Sequence, residues 1–373
     1  MPRPTYATLD LAALAHNHAR VRSQAGRARI WSVVKANAYG HGLLRVAHTL
    51  APLTDGFALV EFEGAAALRE AGIQHPILML EGCYDTSDLQ RCAELSLTPV
   101  LHVVEQVQAL LAANLARPLS VMVKLNTGMN RLGFAPAELP NILQQLQGHS
   151  AIASINLMTH FADADGPTGI ATPLQRFKTL TDGLGLPVSL ANSATILRYP
   201  EAQGDWVRPG IMLYGASPFP EISAAELDLK PVMSLHGQLL TVRELQPGDT
   251  VGYGCGFVAP EPMRIGVAAC GYADGYPRHA PTGTPIVVDG VRTRTLGRVS
   301  MDKICVDLAP VPQAQVGSPV LFWGTDGKVT LPADEVAVAA GTIAYELFCA
   351  LTARVPVKEI GMDAGMDAGK HGG

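Results

Sequence analysis

The sequence predicts an α/β fold in which an N-terminal TIM-type (β/α)8 barrel is followed by a C-terminal mainly-β domain. Three observations predict it. Eight short apolar runs alternate with helical patterns from residue 30 onward. These runs are apolar throughout rather than alternating, as strands buried on both faces are. After about residue 228 the texture changes to shorter β-like runs punctuated by Gly and Pro. At 373 residues the chain exceeds the size at which one core stops growing. Two domains, 1–228 and 229–373, are therefore the natural division.

The elements follow in chain order. Asp10 before LAALAHNHARVRSQA reads as an N-capped helix leading into the barrel. The eight candidate strands are IWSVV at 30, FALV at 57, ILML at 77, TPVL at 98, LSVMVKL at 119, AIASINLM at 151, PVSLA at 187 and DWVRPGIML at 205. Segments between them, such as EFEGAAALREAG from Glu61 and SDLQRCAEL from Ser87, carry helical spacing. In the second domain SLHGQLLTV, MRIGVAAC, TPIVVDGVRTRTL, KICVDL and SPVLFW read as strands, and Asp289-Gly290 as a two-residue hairpin turn. LPADEVAVAAGTIAYELFCALT is a final helical piece, and the repetitive GMDAGMDAGKHGG tail is expected to be disordered.

Composition narrows the function. Hydrophobic residues make up 48% and charged residues 16%, the profile of a compact globular chain. The net charge of −5 is spread without a basic run, which argues against nucleic acid as a partner. The N-terminal apolar stretch is broken by Asp10, His16 and Asn17 before it could serve as a signal segment, and no stretch approaches a membrane span. The six cysteines are scattered without a C-x-x-C pair or a histidine cluster, so free thiols, a cytoplasmic setting and no metal are expected.

In such a barrel the active site lies at the C-terminal strand ends. Polar residues accumulate there: Lys35 after the first strand, Arg131 after the fifth, His160 after the sixth, Asn192 and Ser193 after the seventh, and Arg208 and Gly210 beside the eighth. A lysine leaving an apolar wall is open to desolvation, which makes an amine nucleophilic toward aldehydes. Ala191-Asn192-Ser193-Ala194 and Gly210-Ile211 supply the small residues, hydroxyls and amides from which barrels build phosphate sites. A carbonyl-reactive lysine opposite a phosphate cradle is what a pyridoxal 5′-phosphate (PLP) enzyme requires.

Nine segments in order, VVKANAYGHG, KLNTGMNRLGF, MTHFADAD, ANSAT, VRPGIMLYG, VGYG, GYADGYPR, GRVSMD and TIAYEL, resemble those of the alanine racemase family over roughly residues 4 to 358. The resemblance implies a cytoplasmic homodimer that interconverts L- and D-alanine, supplying D-alanine for peptidoglycan, by two-base exchange of the α-proton on a PLP aldimine. It implies that Lys35 carries PLP and serves as one base, and that Tyr253 of the partner subunit is the other. A phenol titrates near 10, so Tyr253 needs cationic help. The resemblance further places Arg208 against the pyridine nitrogen with His160 behind it, and Tyr39, Asn192, Ser193, Gly210, Ile211 and Tyr345 around the phosphate. Arg131 and the Met301 backbone would hold the substrate carboxylate, Tyr272 and Asp274 would line an access corridor, and Lys124 matches a lysine that is carbamylated in relatives. A racemase of broader range is the nearest alternative, although such members tend to be periplasmic. A non-catalytic PLP-binding barrel would lack the second domain and Tyr253, and a related decarboxylase would insert its barrel within the β domain.

Overall fold

The protein is described by a computed structural model over residues 3–361, so apart from Gly361 the expected disorder of the tail falls outside the described residues. The chain forms two compact units. The barrel unit comprises Ala15–Leu213 and Pro218–Ile222, and the β unit comprises Met1–Leu14, Tyr214–Ser217 and Ser223–Gly373.

The chain opens with β1 (Tyr6–Asp10). Asp10 ends this strand and caps the helix Leu11–Ala25, its Oδ1 accepting from the Ala13 amide at 2.9 Å. Eight parallel strands then close the barrel: β2 (Arg29–Val33), β3 (Gly56–Leu59), β4 (Ile77–Met79), β5 (Leu97–Leu101), β6 (Leu119–Lys124), β7 (Ile152–Met158), β8 (Val188–Ser189) and β9 (Trp206–Val207). β9 returns to β2 through Arg29↔Trp206 and Ile30↔Val207. The apolar runs become strands because both their faces are covered: β3 and β4 are buried at every residue. Trp31 and Trp206 stack with ring centroids 4.2 Å apart, joining the first and last strands by packing as well as by hydrogen bonds.

The β unit contains β10 (Met233–Leu245), β11 (Thr250–Val251), β12 (Phe257–Val258), β13 (Met263–Ala269), β14 (Pro285–Val288), β15 (Val291–Leu296), β16 (Lys303–Asp307), β17 (Pro319–Thr325), β18 (Thr330–Leu331) and β19 (Val357–Ile360). Nine of its strands form one sheet in the order β18-β17-β14-β15-β16-β13-β10-β1-β19, and β11 and β12 form a separate hairpin. The long β10 also pairs with β17, with register shifts at Leu235/His236 and Leu239/Thr241 that let one strand serve several partners. Asp289 and Gly290 both have positive φ, 49° and 76°, the geometry a two-residue hairpin demands. The final helical piece is two helices, Ala333–Ala339 and Ala344–Cys349, separated near Gly341 at φ 71°.

The domain boundary read from the sequence differs from these units at the N-terminus. β1 lies in the β unit because it pairs antiparallel with β10 and parallel with β19, long-range pairings with no local sequence signal. No helix among the described residues is long and apolar enough to cross a membrane.

Candidate active site

Within the barrel unit the expected residues converge on the C-terminal strand ends. Lys35 follows β2, Lys124 ends β6, Arg131 lies in the loop after β6, His160 follows β7 and Arg208 follows β9. The Arg131 loop is stapled back onto its strand: the Phe134 amide donates to Lys124 O at 2.8 Å, and the Asn126 amide donates to Phe134 O at 2.9 Å. Gly133 permits this close return, since its φ is +123° and a methyl there would stand 2.7 Å from the Asn126 nitrogen.

Arg208 is buried, and its guanidinium meets only neutral acceptors. Nη1 donates to Ser189 Oγ at 2.6 Å, and Nη2 donates to Thr159 O at 2.6 Å and Leu190 O at 3.3 Å. His160 Nδ1 stands 3.5 Å from Nη2. Burial lowers Arg208 to about 10, which still leaves it charged near neutrality. Burial, then the charges of Arg208, Lys124, Arg131 and Lys35, push His160 down to about 3, so its ring is neutral. Burial, then Arg208 and Arg131, lower Lys124 to about 8. None of these four cations is ion-paired with a carboxylate among the described residues. The cluster is a concentrated positive field with room for anionic partners.

Opposite stands a cradle of small and hydroxylic groups. Ser193 Oγ accepts from the Gly210 amide at 2.9 Å and from the Met212 amide at 3.4 Å, tying the loop after β8 to the loop after β9. A methyl at Gly210 would stand 2.5 Å from Tyr39 Oη, so the phenol closes over this glycine. Asn192 Oδ1 accepts from the Thr195 amide and hydroxyl and caps the helix Ser193–Arg198. Ser193, Gly210, Ile211 and Tyr39 thus fit a phosphate, and Lys35 at the end of β2 fits the aldehyde end of PLP.

The segment after Lys35 was not legible in the sequence. Ala36, Asn37, Ala38 and Tyr39 all have φ of 53° or 54°, a single left-handed turn built without glycine. The Glu61 carboxylate accepts from the Ala36 amide at 3.1 Å, and Asn37 Oδ1 accepts from the Leu43 amide at 2.8 Å. Ser189, Thr159 and Glu61 therefore join the site, each through a contact between separate strand ends that no local motif announces.

The remaining expected residues belong to the β unit. Tyr253 stands 73% exposed on the turn Tyr253–Cys255 between β11 and β12. Arg298 backs that turn, its Cζ 3.2 Å from where a methyl at Gly254 would lie. Tyr272 and Met301 are exposed and adjoining: the Tyr272 amide donates to Ser300 O, and the Ala273 amide donates to Met301 O. Tyr345 is half-buried near the start of the helix Ala344–Cys349. Asp274, expected beside a corridor, is instead fully buried. Its carboxylate is ion-paired with Arg3 and Arg354 and accepts from the Gly271 amide at 2.8 Å, pinning the turn that carries Tyr272.

Residues 9–218 match the family model for the alanine racemase N-terminal domain, and residues 232–359 match the model for its C-terminal domain. Alanine racemase from Polaromonas naphthalenivorans is 53% identical over 96% of this chain and 99% of its own length. The catabolic alanine racemase of Salmonella typhimurium is 51% identical over 95% and 99%. Among solved structures, the biosynthetic alanine racemase of Pseudomonas aeruginosa superposes with a TM-score of 0.93 at 48% identity, covering 96% of this chain and 99% of that one. The Bacillus anthracis alanine racemase with bound L-Ala-P superposes with a TM-score of 0.82 at 30% identity, covering 97% of each. With both domains matched in order over nearly its whole length, the chain belongs to the alanine racemase family.

Proposed function

We propose that this chain interconverts L- and D-alanine with PLP as cofactor, Lys35 and Tyr253 exchanging the α-proton on opposite faces of the substrate. One observation carries the reading: the unpaired cluster of Lys35, Lys124, Arg131 and Arg208 around a neutral His160, facing a cradle made by Ser193, Gly210 and Tyr39. That field suits a ligand with a phosphate at one end and a carboxylate at the other. When bound, PLP supplies an electron-withdrawing ring that acidifies the α-proton of an amino acid held on it.

The chain's own residues do the rest. Ser193, Gly210, Ile211 and Tyr39 would hold the phosphate. Arg208 faces the ring nitrogen. Because it keeps its proton, it would leave that nitrogen unprotonated and the ring's electron withdrawal modest, which favours return of the α-proton. Arg131 grips the substrate carboxylate as a planar donor. The Met301 amide, which makes no hydrogen bond among the described residues, meets the same carboxylate from the partner subunit. Lys35 takes or gives a proton on one face, and Tyr253 of the partner subunit, with Arg298 behind its turn, does so on the other. Tyr272 borders the access path. Lys124, its ammonium disposed to lose a proton, gives a neutral amine that would add carbon dioxide and release a second proton, forming a carbamate anion that steers Arg131. The reaction supports a cytoplasmic D-alanine supply for peptidoglycan, in keeping with six free cysteines.

The direct test is optical assay of the purified protein. It should racemise L-alanine and absorb in the near-visible, and Lys35→Ala should abolish both. A colourless protein whose racemisation depends on a metal would overturn the cofactor assignment.

A further inference from the structure

The left-handed turn after Lys35 is energetically costly. L-residues rarely adopt that conformation, Asn most readily, and four occur in succession. Such strain persists only where the surroundings over-determine it. The Gly40 amide donates to Ala36 O at 3.0 Å and the Ala38 amide donates to Val34 O at 2.9 Å, so the turn carries its own ladder. Its entrance is held by Glu61.

At its exit lies His41, 1% exposed, with Nδ1 2.9 Å from Tyr39 O and 3.1 Å from Ala38 O. Both partners are carbonyls and can only accept, so Nδ1 carries the hydrogen and the tautomer is fixed. The Ala38 carbonyl has a second donor in the His41 amide at 3.0 Å, and the imidazole also ties the Tyr39 carbonyl. Tyr39 in turn reaches Gly210 with its hydroxyl.

We infer that His41 is a positioning residue: it locks the left-handed turn and thereby fixes the Tyr39 hydroxyl over Gly210 in register with the Lys35 amine. Without it the Tyr39 carbonyl loses this donor, and the turn relaxes toward right-handed geometry, which swings the phenol off the cradle. His41 touches neither substrate nor cofactor. The inference rests on the proposed reading of Lys35 as the PLP-carrying lysine.

The experiment compares the holoenzyme with His41→Leu, which removes the donor, and His41→Asn, which keeps an N–H where Nδ1 stood. The readouts are the induced circular dichroism of the near-visible cofactor band, PLP affinity after resolution and reconstitution, and kcat against KM. His41→Leu should weaken PLP about ten-fold, the scale of one buried hydrogen bond, and reduce the induced dichroism with an unchanged far-ultraviolet spectrum. His41→Asn should restore most of both. Should His41→Leu fail to fold, His41→Gln, whose donor lies one bond too far, should show the same loss against His41→Asn. Wild-type dichroism and affinity in folded His41→Leu or His41→Gln would overturn the inference and leave the cofactor reading intact. A wild-type protein with no near-visible band, and no cofactor trapped on Lys35 by borohydride, would overturn both.

Discussion

Arg208 shows how a single residue's surroundings set chemistry. Held by Ser189, Thr159 and Leu190 oxygens beside a neutral His160, it keeps its charge near neutrality, and in the proposed function it would offer the ring nitrogen a donor that does not surrender its proton. Arg208→Glu should protonate that nitrogen, slow racemisation by roughly two orders of magnitude, about 2.7 kcal/mol, raise transamination and accumulate a longer-wavelength absorbance. Unchanged rate and spectrum would show that Arg208 does not face the ring. Lys124, lowered to about 8 chiefly by burial, should take up labelled bicarbonate carbon, giving a carbamate resonance that grows as pH rises through that value and fades below it. Absence of the resonance at any pH would leave Lys124 a plain amine. At this scale the sequence announces residues at strand ends, so Lys35, Arg131, His160 and Arg208 are legible. It does not announce their partners: the neutrality of His160 depends first on burial and then on cations from several separate strands. Asp274's partner is hidden for the same reason, since Arg3, which pins it, lies 271 residues away.

Among the elements, the barrel strands are legible because burial on both faces leaves continuous apolar runs, even where β8 and β9 shrink to two residues each. β1 and β19 are not, because each is a short segment defined by distant pairing, β1 between β10 and β19 and β19 at the sheet edge. The KANAYGHG turn misleads more deeply. Its alanines favour a right-handed helix, and contacts such as those of Glu61, Asn37 and His41 hold the opposite hand. The phosphate cradle offers a test at this scale. Gly210→Ala would drive a methyl to 2.5 Å from the Tyr39 hydroxyl. It should weaken PLP by roughly ten- to a hundred-fold, about 1.4–2.7 kcal/mol, measured by titrating the resolved protein. Undiminished affinity would mean that Tyr39 does not close the cradle.

For the whole molecule, His18 and His41 are both buried and both lowered to about 4, principally by desolvation. The unfolded chain binds their protons near 6.5, so their contribution is present above that pH and is lost as pH falls toward 4, about 1.4 kcal/mol per pH unit for each. Urea unfolding at stepped pH should show this fall, and a flat profile from 6.5 to 4 would contradict it. At this scale the proposed function requires two chains, with Lys35 from one and Tyr253 from the other. Lys35→Ala and Tyr253→Phe proteins should each be nearly inactive alone, and after joint denaturation and refolding a mixed dimer should hold one site with both bases and one with neither. Measured racemase activity should then recover to roughly a quarter of wild type, the share of intact sites that random two-fold assembly produces; mixed dimers that demonstrably form yet stay inactive would contradict the shared two-base site.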